Sequence, residues 1–260
     1  DLYVPGYFEM SIQKGEEIIF SASDILVDTN NLADEFNEEL NTRTPRSSFY
    51  NCLKNSSHQF FYKPTSNEVY LLAGYPWFKV RARDQFISLP GCTIAADRAD
   101  DFVKIMDSSV PHINDFMSGA PSKNIIKQIE DPDVLLWVTW SLQQYWKENK
   151  NIFKDKYQEL LQSIVSFIYE DKHPNLIMDN ESGLLSTYGQ QKPVSWMNAT
   201  YLGNPIVPRT GLLVEFNALW YNALRFAEEV ANDIGDTDRA QMLEDLSEKV
   251  QQSFVDTFLN

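Results

Sequence analysis

Within Pro193–Arg225, which reads PVSWMNATYLGNPIVPRTGLLVEFNALWYNALR, the rings of Trp196, Tyr201, Trp220 and Tyr221 are interleaved with Asn198, Arg209, Glu215, Asn217 and Asn222. Large apolar faces alternate with hydrogen-bonding heads in one short segment. A neutral polyhydroxylated ligand needs that mixture, because a pyranose presents C–H faces to aromatic rings and a rim of hydroxyls to fixed donors and acceptors. The same residues also suit a plain helix start, with Glu215 compensating the helix dipole and Trp220 and Leu224, four apart, pointing into a core.

The wording of the segment adds to this reading. SWMNA at 195–199, PRTG at 208–211 and VEFNALWYNAL at 214–224 resemble, in that order, the signature of the amylo-α-1,6-glucosidase part of glycogen debranching enzymes, whose usual wording is close to TWMDA…PRxGxPVEINALWYNAL. A second stretch, AGYPWFKVRARDQFISLPG at 73–91, is similar to that family's AGYPWFTDWGRDTFIALPG. There the Arg-Asp pair hydrogen-bonds the non-reducing-end glucose, which implies the same task for Arg83 and Asp84 and makes Trp77 an aromatic wall. Read without the family, Asp84 is the N-cap of a helix over Gln85–Leu89 and Trp77 is ordinary core. Lys79-Val80-Arg81-Ala82 stands where the family commonly has TDWG, so the sugar-facing wall is altered. DPDVLLW at 131–137 is similar to the family's VDAPLW and implies that Asp133 accepts hydrogen bonds from sugar hydroxyls; as a first-turn acid it also suits the helix dipole. The resemblance runs over about residues 7–259.

Cleavage of a glycosidic bond generally uses two carboxyl groups, one protonating the leaving oxygen and one activating water or attacking directly. The resembled family inverts. Its general acid is the Asp of TWMDA, and its general base lies on a later helix pair. Here the acid's position is Asn198, and an amide cannot supply a proton at neutral pH although it keeps the shape and hydrogen bonding of the acid. Glu215 aligns with a family glutamate that binds the glucose; Arg209 in PRTG suits an orienting donor for a neighbouring carboxylate, and Trp196 a stacking wall. The resemblance therefore implies a hydrolase of α-1,6-linked glucose on glycogen-like glucans, with no cofactor and no metal. Asn198 favours a rival reading, a carbohydrate-binding relative that has lost its proton donor. A third reading is a helical domain without a sugar site, in which Arg83, Asp84 and Glu215 would point into ion pairs rather than a shared cavity.

The elements that must position these residues are mostly helices. Residues 7–23 alternate apolar and polar around Lys14-Gly15-Glu16 and read as strand, turn, strand; the resemblance makes them the end of an N-terminal β-sandwich, over residues 1–25. A helical connector follows over 26–66, with Asn30 or Asn31 capping one helix and Ser47 capping a second that carries Phe60 and Phe61. Asn67–Ala73 reads as a short strand, 97–106 as a helix and 107–130 as a polar loop. Asp131-Pro132-Asp133 opens a helix that is apolar on nearly every side, followed by an amphipathic helix over about 152–170. The same pairing recurs over Glu215–Asp233 and 238–258. Buried helix followed by amphipathic helix is what concentric inner and outer layers require. The fold class expected is all-α, and the resemblance makes residues 67–260 the N-terminal part of an (α/α)6 toroid, a six-hairpin glycosidase fold, incomplete at Asn260. Since the chain opens on Asp1 rather than Met, it reads as a fragment or processed product.

Charge and composition narrow the partners. A net charge of −15 repels phosphate backbones and anionic lipid, so nucleic acid is excluded as a partner. The longest apolar run, Val134–Val138, falls far short of the ~20 residues that span a bilayer, so no membrane association is expected. Two cysteines, Cys52 and Cys92, are too few for a disulfide scaffold and suit a reducing, cytoplasmic setting. His58, His112 and His173 are far apart and lack the i, i+4 spacing of a metal site. The partner that remains is a branched α-glucan, glycogen or limit dextrin.

Overall fold

The computed structural model describes residues 6–23, 26–75, 77–121, 125–188 and 192–259, and the chain divides into two compact units, Asp1–Ser56 and Ser57–Asn260.

In the first unit, residues 6–23 are almost wholly exposed and form no strand. The chain does reverse at Lys14–Gly15, where Gly15 takes φ 92° and the Glu16 amide donates to the Gln13 carbonyl. The expected hairpin is thus reduced to its turn, with Phe8 and Phe20 in ring contact at 6.1 Å; two strands without a sheet to pack on are marginal in water. Helix α1 (Leu32–Thr42) has Asn31 at its N-cap, without a side-chain capping bond, and follows a 3-10 turn that Asp28 caps. Helix α2 (Phe49–His58) is capped one residue later than expected, since Ser48 Oγ accepts from the Asn51 amide. Neither helix buries a residue.

In the second unit the chain leaves α2 at His58, so Phe61 lies on a strand rather than a helix. Strand β1 (Phe61–Tyr62) pairs antiparallel with β2 (Tyr70–Leu71). Helix α3 (Ala82–Cys92) is longer than the Gln85–Leu89 segment anticipated, and α4 (Ala99–Ser118) runs on through much of the stretch that reads as a polar loop. The polar residues there are satisfied inside the packing: Ser109 accepts from Gln85 Nε2 at 2.9 Å, and His112 meets the Tyr70 hydroxyl at 3.1 Å. Helix α5 (Val134–Trp146) is buried on nearly all sides, as its composition requires.

The amphipathic partner of α5 is broken into α6 (Lys150–Lys156) and α7 (Gln158–Tyr169). The break is at Tyr157, at φ −125°, whose fully buried ring sends its hydroxyl to Asp107 at 2.9 Å. Strands β3 (Ile177–Met178) and β4 (Leu185–Thr187) then form a small antiparallel sheet, joined later by β7 (Gly211–Leu212), while β5 (Thr200–Tyr201) and β6 (Asn204–Pro205) make a separate hairpin. Helix α8 (Val214–Ile234) ends at Gly235, which takes φ 79°, and Asp236 caps α9 (Thr237–Phe258) by accepting from the Arg239 amide.

Helix α8 packs against α9, α5 and α7, and α5 also packs on α3. Their shared core centres on aromatic rings, with Trp146, Phe153 and Phe226 meeting edge to face and Phe102 stacked on Tyr145 at 4.6 Å. Buried Asn217 at the start of α8 donates to the Leu185 carbonyl and accepts from the Leu185 amide, so the small sheet is fixed to the helix that leads away from the 193–213 loop. The chain is predominantly helical, with short strands confined to the connections.

Candidate functional site

Arg83 lies in the first turn of α3, and the start of that helix is pinned from outside. The Ala82 amide donates to the Lys127 carbonyl, and the Lys127 amide returns a bond to Val80, each at 2.9 Å. Held there, the Arg83 guanidinium reaches two carboxylates just before α5: Nε and Nη2 form a fork on Asp133 at 2.7 and 2.8 Å, and Nη2 also reaches Asp131 at 2.9 Å. Nη2 lies 3.5 Å from the Val194 carbonyl as well. One buried side chain thus ties together the 81–92, 131–137 and 193–198 segments.

The three charges are almost fully out of water, with Arg83 7%, Asp131 7% and Asp133 2% exposed. Burial opposes the charge on Arg83, but the hydrogen bonds and charges of Asp133 and Asp131 outweigh it and hold its pKa above the ordinary value. Burial raises the Asp131 carboxyl, against the pull of Arg83 and with a push from Asp133. The two carboxylates thus hold Arg83 charged, while burial, followed by the neighbouring carboxylate, raises Asp131.

Beside this cluster opens a cavity of about 440 Å³. Phe60, Leu72, Ile87 and Trp196 supply apolar walls, while Arg81, Arg83, Asp84, Ser88 and Asn198 supply polar heads, and Ala73 and Cys92 complete the lining. Asp84 occupies the third position of α3, not its N-cap, which is Arg81. Its carboxylate is exposed to the cavity and is the one acidic side chain among the described residues of the lining. Trp196 and Asn198 come from the loop that Arg83 touches through Val194; Trp196 is 64% exposed, and the Asn198 amide N–H donates to the Trp196 carbonyl at 3.0 Å.

The remaining residues singled out from the sequence lie elsewhere. Asp133 is turned wholly onto Arg83 and Trp137 Nε1, at 3.1 Å, and does not line the cavity. Glu215, in the first turn of α8, is clamped by Arg209 Nη2, at 2.7 Å from Oε2 and 2.6 Å from Oε1. Arg209 Nη1 in turn lies 2.8 Å from the sulfur of Met197, so this pair supports the Trp196–Asn198 loop from behind. Trp77 is 76% exposed at the tip of a turn outside the cavity. Of the three residues whose surroundings separate a sugar site from a plain helical domain, Asp84 opens into a cavity, Glu215 is ion-paired, and Arg83 does both.

Seven lining residues are not among those singled out from the sequence: Phe60, Leu72, Ala73, Arg81, Ile87, Ser88 and Cys92. Three of them had a signal, since Arg81, Asp84, Ser88 and Cys92 follow the spacing of one helical face. Among the described residues no group of three or more His, Cys, Asp or Glu side chains is placed to hold a metal ion. Nor is any described helix long and apolar enough to cross a membrane.

In comparison with known families, the family model for amylo-alpha-1,6-glucosidase matches residues 54–260. The chain belongs to the amylo-α-1,6-glucosidase family. Curated proteins and solved structures give no match. The amylo-α-1,6-glucosidase region therefore includes α2's end, every element from β1 to α9, the Arg83 cluster and the whole lining of the cavity. Membership makes this a glycogen-debranching-type glycosidase domain, and it places Asn198 within the region that defines the family.

Proposed function

We propose that the cavity beside Arg83 receives the terminal glucose of an α-1,6-branched glucan, and that this chain holds the sugar more effectively than it hydrolyses it. One observation carries the reading: Asp84 and Arg83 from one motif, and Trp196 and Asn198 from another more than a hundred residues away, line the same cavity. Asp84 accepts hydrogen bonds from sugar hydroxyls, Trp196 covers a C–H face, and Asn198 stands beside the scissile oxygen. Arg83, neutralised by Asp131 and Asp133, fixes the geometry and offers little charge to a ligand.

Asn198 cannot protonate a leaving oxygen, and Asp84 is the single carboxylate of the described lining. Glu215 is engaged by Arg209 outside the cavity, which favours a supporting part in the loop over a part in proton transfer. A second reading, an inverting hydrolase of α-1,6-linked glucose, is favoured by the family match itself; it requires another proton donor. In either reading the helix pairs α5/α7 and α8/α9 are segments of an (α/α)6 toroid, the chain needs no cofactor, and its free thiols suit a cytoplasmic setting.

Calorimetry with panose, a trisaccharide ending in an α-1,6-linked glucose, tests the reading. Binding by the native protein, weakened at least tenfold by Asp84→Asn with the fold intact, is the expected result. Equal affinity in the two proteins, or no binding by the native one, contradicts it.

A further inference from the structure

A second cavity, also about 440 Å³, adjoins the first, with Leu72 lining both. Tyr62 and Pro64 form one side, at the end of β1, and Tyr75, Phe78 and Lys79 form another. The turn that carries the latter three is fixed at its base, since the Ala73 amide donates to the Lys79 carbonyl at 3.1 Å and the Phe78 amide donates to the Gly74 carbonyl at 3.0 Å. Gly74 lies flat on the Phe78 ring, where a Cβ would come within 3.0 Å of Cδ2. The Arg81 guanidinium covers the same ring at 4.5 Å and also lines the first cavity, so one stacked pair forms the partition between the two.

The aromatic side chains of this turn are held out in water, Tyr75 at 68% exposure beside Trp77. Exposed aromatic rings with polar handles, a hydroxyl on Tyr75 and an N–H on Trp77, are poor surface and good recognition material. A glucan chain is longer than the cavity that takes its end, and glucose units beyond the terminal one must cross the neighbouring surface.

We infer that the groove between Tyr62 and the Ala73–Lys79 turn binds the α-1,4-linked glucose units that follow the branch, with Tyr75 and Tyr62 stacking on their C–H faces and Lys79 donating to their hydroxyls. This rests on the proposed terminal-glucose site and extends it into a two-part groove. The continuity through Leu72 and the Arg81–Phe78 partition selects this occupant over an unrelated protein surface.

The test compares isomaltose, which has the α-1,6-linked glucose but no α-1,4 unit beyond it, with a branched dextrin carrying the same α-1,6-linked glucose on a chain of eight or so α-1,4 units. By calorimetry the native protein is expected to bind the longer ligand roughly tenfold more tightly, the gain that one or two stacked rings provide. Tyr75→Ser and Tyr62→Ser are expected to remove that gain and leave isomaltose affinity unchanged. Tyr75→Ser alone alters an exposed side chain, so it tests the groove even if the strand variant fails to fold. Equal affinity of the native protein for both ligands, a gain that survives Tyr75→Ser, or an equal loss for both ligands overturns the groove. Failure of panose itself to bind, or indifference of panose to Asp84→Asn, instead overturns the terminal-glucose site on which the groove rests.

Discussion

Around Arg83, two carboxylates and one guanidinium are packed where water does not reach, and the cost of each charge is met by the others. Replacing Arg83 by Met leaves Asp131 and Asp133 facing one another without a cation. A loss of about 3–5 kcal/mol of stability is expected in urea titrations. Arg83→Lys restores charge but not the fork on Asp133, so a smaller loss is expected, with panose binding still reduced because the Val194 end of the loop is released. The sequence made Arg83 and Asp133 visible as members of two motifs, but not that they bind each other. Charge type at two positions fifty residues apart says nothing about which partner a side chain meets, and Asp131 reads equally well as a helix cap. Asp84 was ambiguous for the same reason: a cap and a ligand-facing acid differ by three positions at the start of α3, and only the Lys127 bridge that starts the helix at Ala82 decides between them.

At the scale of elements, the helices followed from their periodicity, while breaks and continuations did not. Tyr157 interrupts an otherwise continuous amphipathic pattern because its buried hydroxyl is drawn to Asp107, and α4 continues past 106 because Ser109 and His112 find partners on neighbouring elements. Such pairings are tertiary and leave no local mark. The β3–β4 connection shows a further constraint of this kind. Gly183 takes φ 72°, and a Cβ there would come within 2.9 Å of Val250 and 3.3 Å of Leu246 on α9. Its carbonyl also accepts from Trp220 Nε1 at 3.2 Å. Gly183→Ala combines backbone strain with overpacking and is expected to cost about 2–3 kcal/mol, read as a lowered midpoint in thermal unfolding. An unchanged midpoint would show that α9 can retreat from the turn.

Over the whole molecule, acid is expected to act through His173. Its ring lies edge-on to Phe116 and Phe167, its Nδ1 accepts from the Asn175 amide at 3.1 Å, and its Nε2 has no hydrogen-bond partner among the described residues. Burial pushes its pKa down to about 4. Because the folded value lies below that of the unfolded chain, stability is complete above pH 6.5 and falls as pH drops toward 4. Between pH 7 and pH 5 the loss is about 2 kcal/mol. Asp131 pulls the other way, since burial raises it, so His173→Gln isolates the histidine: its pH 7-to-5 difference in urea stability is expected to shrink by that amount. The family and the helical class were legible in residue order, whereas the cavity itself depends on three segments converging on one arginine. The most direct test of the account is glucose release from a branched limit dextrin by the full-length protein beside its Asn198→Asp variant. The account predicts binding with slow release by the native protein and a rise of about 10²–10⁴-fold on restoring the carboxyl. Release at an enzyme-like rate by the native protein, unchanged by Asn198→Asp, would contradict it.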